Sequence, residues 1–223
     1  MKEKTIEVNG VTLFYKVTGT GKPLLLLHGN GEDHHIFDEL TEKMKENFTV
    51  YAIDSRNHGQ SQKTDDYSYR TMCEDIYHLI QTLNLGQVYL AGFSDGGIIG
   101  LMLAMYYEEV LEKAALLGVN LKPEDFTEEN YQYIKETYEE TKDPLFQLML
   151  TQPNIELDEL RDITVPTLLI FAEDDLYKPQ IYTDLKNTLL NAKLKSMSGH
   201  DHGSYIIHQD ILAPDLLHFF AEN

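Results

Sequence analysis

The stretch with the most chemical meaning in this chain is "AGFSDGG" at 91–97, directly behind "QVYL" and ahead of "IIGLMLAMYY". Glycine inside a strand or helix weakens it by roughly 0.5–1 kcal/mol relative to alanine. Gly92, Gly96 and Gly97 therefore need a reason to be there. Gly92-Phe93-Ser94-Asp95-Gly96 fits G-x-S-x-G, with a strand expected before it and a helix after it. In that context the backbone turns so sharply that Cβ atoms at the flanking positions would clash. The serine hydroxyl stands in the open, and the next N–H groups point at it from a helix N-terminus. The pattern predicts Ser94 as a nucleophile. A phosphate loop is the competing reading. It is disfavoured, because no G-x-x-x-x-G-K-[ST] is present and Asp95 would repel a phosphate.

A serine hydroxyl is a weak nucleophile at neutral pH and needs a base, which in turn needs an orienting acid. "MSGHDHGSY" offers His200 and His202, and "AEDDLYKP" offers Asp174 and Asp175. The residues alone leave both pairs open. A metal hydrolase is the rival chemistry: His200 and His202 stand two apart, and His34-His35 lie in another polar loop. Ser204 and Tyr205 supply no further Asp-His pair beyond them, so no metal is expected.

The elements around these residues alternate. "KTIEVNGVTLFYKVTG" reads as a hairpin turning at Asn9-Gly10. "PLLLLHGNG" is a continuous apolar run ending in glycine, as expected of a strand buried on both faces of a parallel sheet. Strands follow at "TVYAI", "QVYLAGF", "KAALLG" and "PTLLIFA", with a short one at "AKLKSMS". Helical spacing separates them, and "DILAPDLLHFFAEN" reads as a final helix. The expected fold is α/β, a doubly wound, mostly parallel sheet. Residues 1–223 are read as one domain. From 120 to 163 the chain is helical and acidic without a buried strand, which predicts a small helical cap inserted over one end of the sheet. Tyr131, Tyr133, Ile134, Tyr138, Leu145, Phe146 and Leu148 are its candidates for an apolar pocket lining.

Bulk properties exclude some classes. The chain carries 18 Lys+Arg against 37 Asp+Glu, a formal charge of −19. Such a surface repels nucleic acid and anionic membranes, so neither is an expected partner. The cap's own acidic run argues weakly against anionic substrates. The single cysteine, Cys73, cannot form an internal disulfide and falls in an expected helix, where a buried apolar role suits it. "MKEKTIEVNG" lacks the apolar core of a secretory leader, and no apolar run approaches the roughly 20 residues that span a bilayer. The expectation is a cytoplasmic protein; its oligomeric state stays open.

Five stretches in order carry a family resemblance. "LLLLHGNG", "YAIDSRNHGQS", "AGFSDGG", "VPTLLIFAEDDLYKP" and "MSGHDHGSYIIHQD" together resemble the α/β-hydrolase family over nearly the whole chain. The order serine, aspartate, histidine also fits. The resemblance implies a Ser-His-Asp acyl-enzyme mechanism without a cofactor. In related sequences a proline follows the acid by four positions, which implies Asp175, with Asp174 as the alternative. The spacing to the acidic residue that opens the last helix, Asp210, implies His202 as base, with His200 as the alternative. Glu173 and Asp174 are then expected to face solvent. The amides of Asp95 and Asn30 are the implied oxyanion donors. The Asp95 side chain is expected to point outward at the helix N-terminus. His28, Asp54, Arg56 and His58 are expected to shape the loops. One fold hosts many chemistries. A hydrolase of small carboxylic esters is the implied class. C–C bond hydrolases, perhydrolases and receptor-like members with little turnover are alternatives.

Overall fold

The computed structural model describes residues 2–222. An eight-stranded sheet forms its centre, in the order β1-β2-β4-β3-β5-β6-β7-β8. β1 (Lys2–Val8) and β2 (Val11–Gly19) form the hairpin, turning through Asn9 and Gly10, both at positive φ. β2 pairs antiparallel with β4 (Phe48–Ile53), and from β4 onward every pairing is parallel.

Each face of the sheet carries its own apolar layer. β3 (Lys22–Leu27) shows why its sequence has no alternation: Leu24 and Leu26 pack into one layer, Leu25 and Leu27 into the other, and all four are fully buried. Full burial is worth about 1.5–3 kcal/mol per leucine. α1 (Asp38–Met44) and α7 (Ala213–Ala221) cover one face. α2 (Tyr69–Thr82) and α3 (Asp95–Tyr106) cover the other. α2 begins on a Ser68 cap accepting the Thr71 amide. α3 starts directly after β5 (Val88–Phe93), and Ile98, Ile99, Leu101 and Leu103 are buried against the sheet.

Between β6 (Leu111–Leu117) and β7 (Thr167–Asp174) the chain makes α4 (Glu128–Thr141) and α5 (Pro144–Thr151). Two backbone hydrogen bonds, Thr127 N–H to Leu176 O (2.9 Å) and Lys178 N–H to Asp125 O (2.8 Å), tie the entry to α4 onto the loop after β7. α6 (Gln180–Thr188) leads to β8 (Ala192–Asp201). β8 is longer than the short strand expected from "AKLKSMS": its pairing with β7 continues past a register shift to Asp174↔Asp201. No helix among the described residues is long and apolar enough to cross a membrane.

Candidate active site

The carboxyl ends of β3, β5, β7 and β8 converge on Ser94. This residue sits between β5 and α3 at φ 52, ψ −115, a left-handed conformation costing on the order of 1–3 kcal/mol for a non-glycine residue. The glycines around it make that turn possible. A Cβ on Gly92 would lie 2.2 Å from Gly96 O, and one on Gly96 would lie 2.1 Å from Leu27 O.

His202 Nε2 lies 3.1 Å from Ser94 Oγ, and its Nδ1 lies 2.6 Å from Asp175 Oδ1. Asp175 also accepts the Leu176 amide at 2.8 Å and the Ala172 amide at 3.0 Å. Burial pushes its carboxyl up, but the hydrogen bond and charge of His202, with the Ala172 amide, outweigh burial and hold it below the usual aspartate value. An ionised acceptor at Asp175 assigns the proton to Nδ1 of His202, leaving the Nε2 lone pair toward the serine. The ring is held by Phe93 (centroids 4.9 Å apart) and, edge to face, by Tyr177 (5.5 Å). Gly118, at the end of β6 and at φ +58, makes room for it: a Cβ there would stand 2.7 Å from His202 Cε1. Nothing in the sequence pattern singled out that glycine.

The alternatives are placed elsewhere. His200 lies on β8, with Nδ1 3.1 Å from Ser204 Oγ. Asp174 ends β7 with its side chain exposed at the cavity rim, and exposed Glu173 accepts from Ser198 Oγ and Gly199 N–H. Asp33, His34 and His35 bring ligating atoms within 4.8 Å of one another. Each is already engaged: Asp33 accepts the His35 amide, His34 Nδ1 lies 2.7 Å from Asp54, and His35 Nδ1 lies 2.8 Å from Asp38.

The Asp95 side chain corrects one expectation. It does not point outward to solvent but is 5% exposed and turned inside. Tyr69 Oη donates to its Oδ1 over 2.7 Å, and Asn30 Nδ2 donates to its Oδ2 over 3.1 Å. Burial, countered by those donors, pushes its carboxyl up to about 6. Asn30 also donates to Leu145 O at 3.2 Å, joining the loop after β3 to α5. His28 accepts the Ser55 amide on Nε2 and donates from Nδ1 to Gly29 O. Burial lowers its pKa to about 4, so the ring is neutral and braces two loops. Asp54 accepts the amides of His34 and Gln60, while Arg56 grips Asp75 through Nε and Nη2, each at 2.6 Å.

A cavity of about 500 Å³ opens over Ser94 and His202. Its apolar walls are Phe93, Phe146, Met149, Leu176 and Ile207, and Glu32, Asp174 and Asp201 also line it. Of the seven pocket candidates in the expected cap, Phe146 is the one in the wall. Tyr131 and Tyr133 are exposed, and Ile134 and Leu148 belong to the core. A hydroxyl, an imidazole and a carboxylate in one hydrogen-bonded chain beneath such a cavity can pass a proton from serine to histidine as the oxygen attacks an electrophile.

Comparison with known proteins agrees with this architecture. The sequence pattern of the alpha/beta hydrolase fold matches residues 22–148. An AB hydrolase superfamily protein of Bacillus subtilis, YisY, is 37% identical over 111 residues, covering 48% of this chain and 41% of that protein. The chain thus spans less than half of that relative's length. The mouse serine hydrolase BPHL is 29% identical over 214 residues, covering 80% of this chain and 72% of that protein. Among solved structures, the carboxylesterase CesB of Bacillus subtilis superposes with a TM-score of 0.85 at 17% identity, covering 99% of this chain and 91% of that one. The meta-cleavage product hydrolase CumD of Pseudomonas fluorescens IP01 superposes with a TM-score of 0.81 at 19% identity over 97% of both chains. At such identities these two likenesses speak for the fold alone.

Proposed function

The chain belongs to the alpha/beta hydrolase fold family, and from that premise we propose that it is a serine hydrolase cleaving small carboxylic esters through an acyl-enzyme. The observation that carries this reading is the chain of hydrogen-bonding distances from Ser94 through His202 to Asp175, 3.1 and 2.6 Å long. The name of one sequence relative, a serine hydrolase, supports the same class.

Ser94 Oγ attacks the ester carbonyl as His202 Nε2 takes its proton. Asp175 holds the imidazole in the required tautomer and stabilises the imidazolium that forms. The oxyanion is received by the amide of Asp95, whose N–H at the first turn of α3 lacks an intrahelical acceptor, and by the amide of Asn30. His202 then protonates the departing alkoxide. In the second half a water gives a proton to His202 and attacks the acyl carbonyl; the bond to Ser94 Oγ breaks, His202 returns the proton to that oxygen, and the acyl group leaves as a carboxylic acid. No step calls for a cofactor. Residues 120–163 serve as the cap, placing Phe146 and Met149 over the nucleophile, and the size of the cavity suits short acyl chains.

The test is steady-state turnover of para-nitrophenyl acetate and butyrate by the wild type, Ser94→Ala, His202→Ala and His200→Ala, with a chelator control. Multiple turnover is expected, unaffected by chelator. Ser94→Ala and His202→Ala should each fall by at least about 10³-fold, and His200→Ala should keep its rate. Turnover that survives Ser94→Ala would overturn the reading. A wild type that stops after one acyl group would replace it with a receptor-like role.

A further inference from the structure

Glu32 is a carboxyl that the mechanism above leaves without a task, and it faces the same cavity as Ser94 and His202. It lies across Gly29 from the nucleophile: a Cβ built on Gly29 would stand 2.8 Å from Glu32 Oε2 and 3.0 Å from Ser94 Cβ. Its Oε2 accepts the Gly29 amide at 2.9 Å. Among the described residues no ion pair involves Glu32, and no Lys or Arg lines the cavity. Asp174 and Asp201 stand on the same wall, with Asp33 and Asp95 nearby; the neighbouring basic group is His202. Burial, eased by the Gly29 amide and His202, pushes the Glu32 carboxyl up to about 7. A half-buried carboxylate that lacks a cationic partner is a standing electrostatic cost, and a guest cation removes it.

We propose that Glu32 is a charge-selecting residue of this site, ranking esters in the order cationic, neutral, anionic according to the acyl group they place beside Ser94. The inference rests on the ester-hydrolase reading. The ligand class is a small ester whose acyl chain carries no negative charge, with a quaternary or primary ammonium preferred. At contact distances near a protein surface a single carboxylate changes relative affinities by about ten- to a hundredfold.

Three matched para-nitrophenyl esters test it: the butyrate, the trimethylammonio-butyrate and the monoester of glutarate. kcat/KM is measured at low salt and about pH 8.5, where Glu32 is ionised. The wild type should favour the cationic over the anionic ester by about a hundredfold or more. Glu32→Gln keeps an acceptor for the Gly29 amide and should shrink that ratio by about tenfold or more. The ratio is taken within one enzyme, so a general loss of active protein cancels. In the wild type alone, pentyltrimethylammonium should inhibit more tightly than hexanoate, and added salt should narrow the gap. A wild type that cleaves the butyrate through Ser94 without ranking the charged esters overturns the inference and leaves the esterase reading standing. So does a ratio that Asp174→Asn or Asp201→Asn shrinks as much as Glu32→Gln. If no ester is turned over and a fluorophosphonate fails to label Ser94, the esterase reading falls and takes the inference with it.

Discussion

Tyr69 donates its phenolic hydrogen to Asp95 Oδ1 over 2.7 Å, fixing from α2 the side chain that follows Ser94. The same carboxyl receives Asn30 Nδ2, so one buried group links the start of α3, the start of α2 and the loop after β3. It also places an acid where ionisation is costly.

That cost sets a pH dependence. Burial raises the Asp95 carboxyl to about 6 from the ordinary aspartate value of 3.8. An acid whose folded value is raised contributes stability that is present below the unfolded value and is lost as pH rises through the folded one. Wild type therefore loses stability between about pH 4 and 7 that Asp95→Asn does not lose. Allowing for one weakened hydrogen bond, the variant should be about 1–2 kcal/mol more stable at neutral pH, with no advantage near pH 4. Thermal melts across that range check it; parallel melting curves would count against a strained Asp95.

The two adjacent aspartates should separate kinetically. Asp175 meets His202 Nδ1 at 2.6 Å, whereas Asp174 is exposed at the rim. Asp175→Asn should lower kcat on para-nitrophenyl butyrate by about 10²–10⁴-fold, by losing the acceptor that sets the imidazole tautomer. Asp174→Asn should stay within about threefold on that neutral ester. Equal losses would mean the acid had been misassigned.

The tight turn under Ser94 should be visible in stability. A Cβ on Gly96 meets a backbone oxygen at 2.1 Å, and neither partner can step aside. Gly96→Ala should destabilise by about 3 kcal/mol or more, or fail to fold. Gly31, also a loop glycine, is at φ +72, and a Cβ there would meet nothing within 4 Å, so its alanine variant should lose only about 1–2 kcal/mol. Urea titration of both variants gives the comparison, and similar midpoints would contradict it.

Cys73 should be chemically silent in the folded protein. It is fully buried, and burial pushes its thiol up to about 12. Thiolate is the reactive form, so Ellman's reagent should find no thiol at pH 8 in the native state and one per chain in denaturant. Prompt labelling of native protein would show that α2 opens.

What the sequence determined by itself are features set by neighbours along the chain. Asn9-Gly10 supplies the positive φ a hairpin turn needs, and the four leucines of β3 can be buried together only in a strand covered on both faces. The spacing of Gly92, Ser94 and Gly96 suits a sharp strand-to-helix turn, because the clash that Gly92 avoids, with Gly96 O, lies four residues along the chain. Strand alternation with helices then follows, and with it the sheet class.

The tertiary structure decided what depends on residues far apart. His200 and His202 both stay open as local residues, and only the family spacing to Asp210 favours His202. They part company because β8 pairs with β7 as far as Asp201, keeping His200 on the strand and carrying His202 beyond it, 108 residues from its partner Ser94. A rule for helix starts turned Asp95 outward; Tyr69, 26 residues away, and Asn30, 65 away, turn it inward because two buried donors outweigh the pull of solvent. Phe146 enters the cavity wall while Ile134 and Leu148 join the core, a choice made by how α4 and α5 pack against the sheet. Glu32 showed only as one more acid in a polar loop, and its place beside Ser94 exists only once β3 and β5 stand side by side.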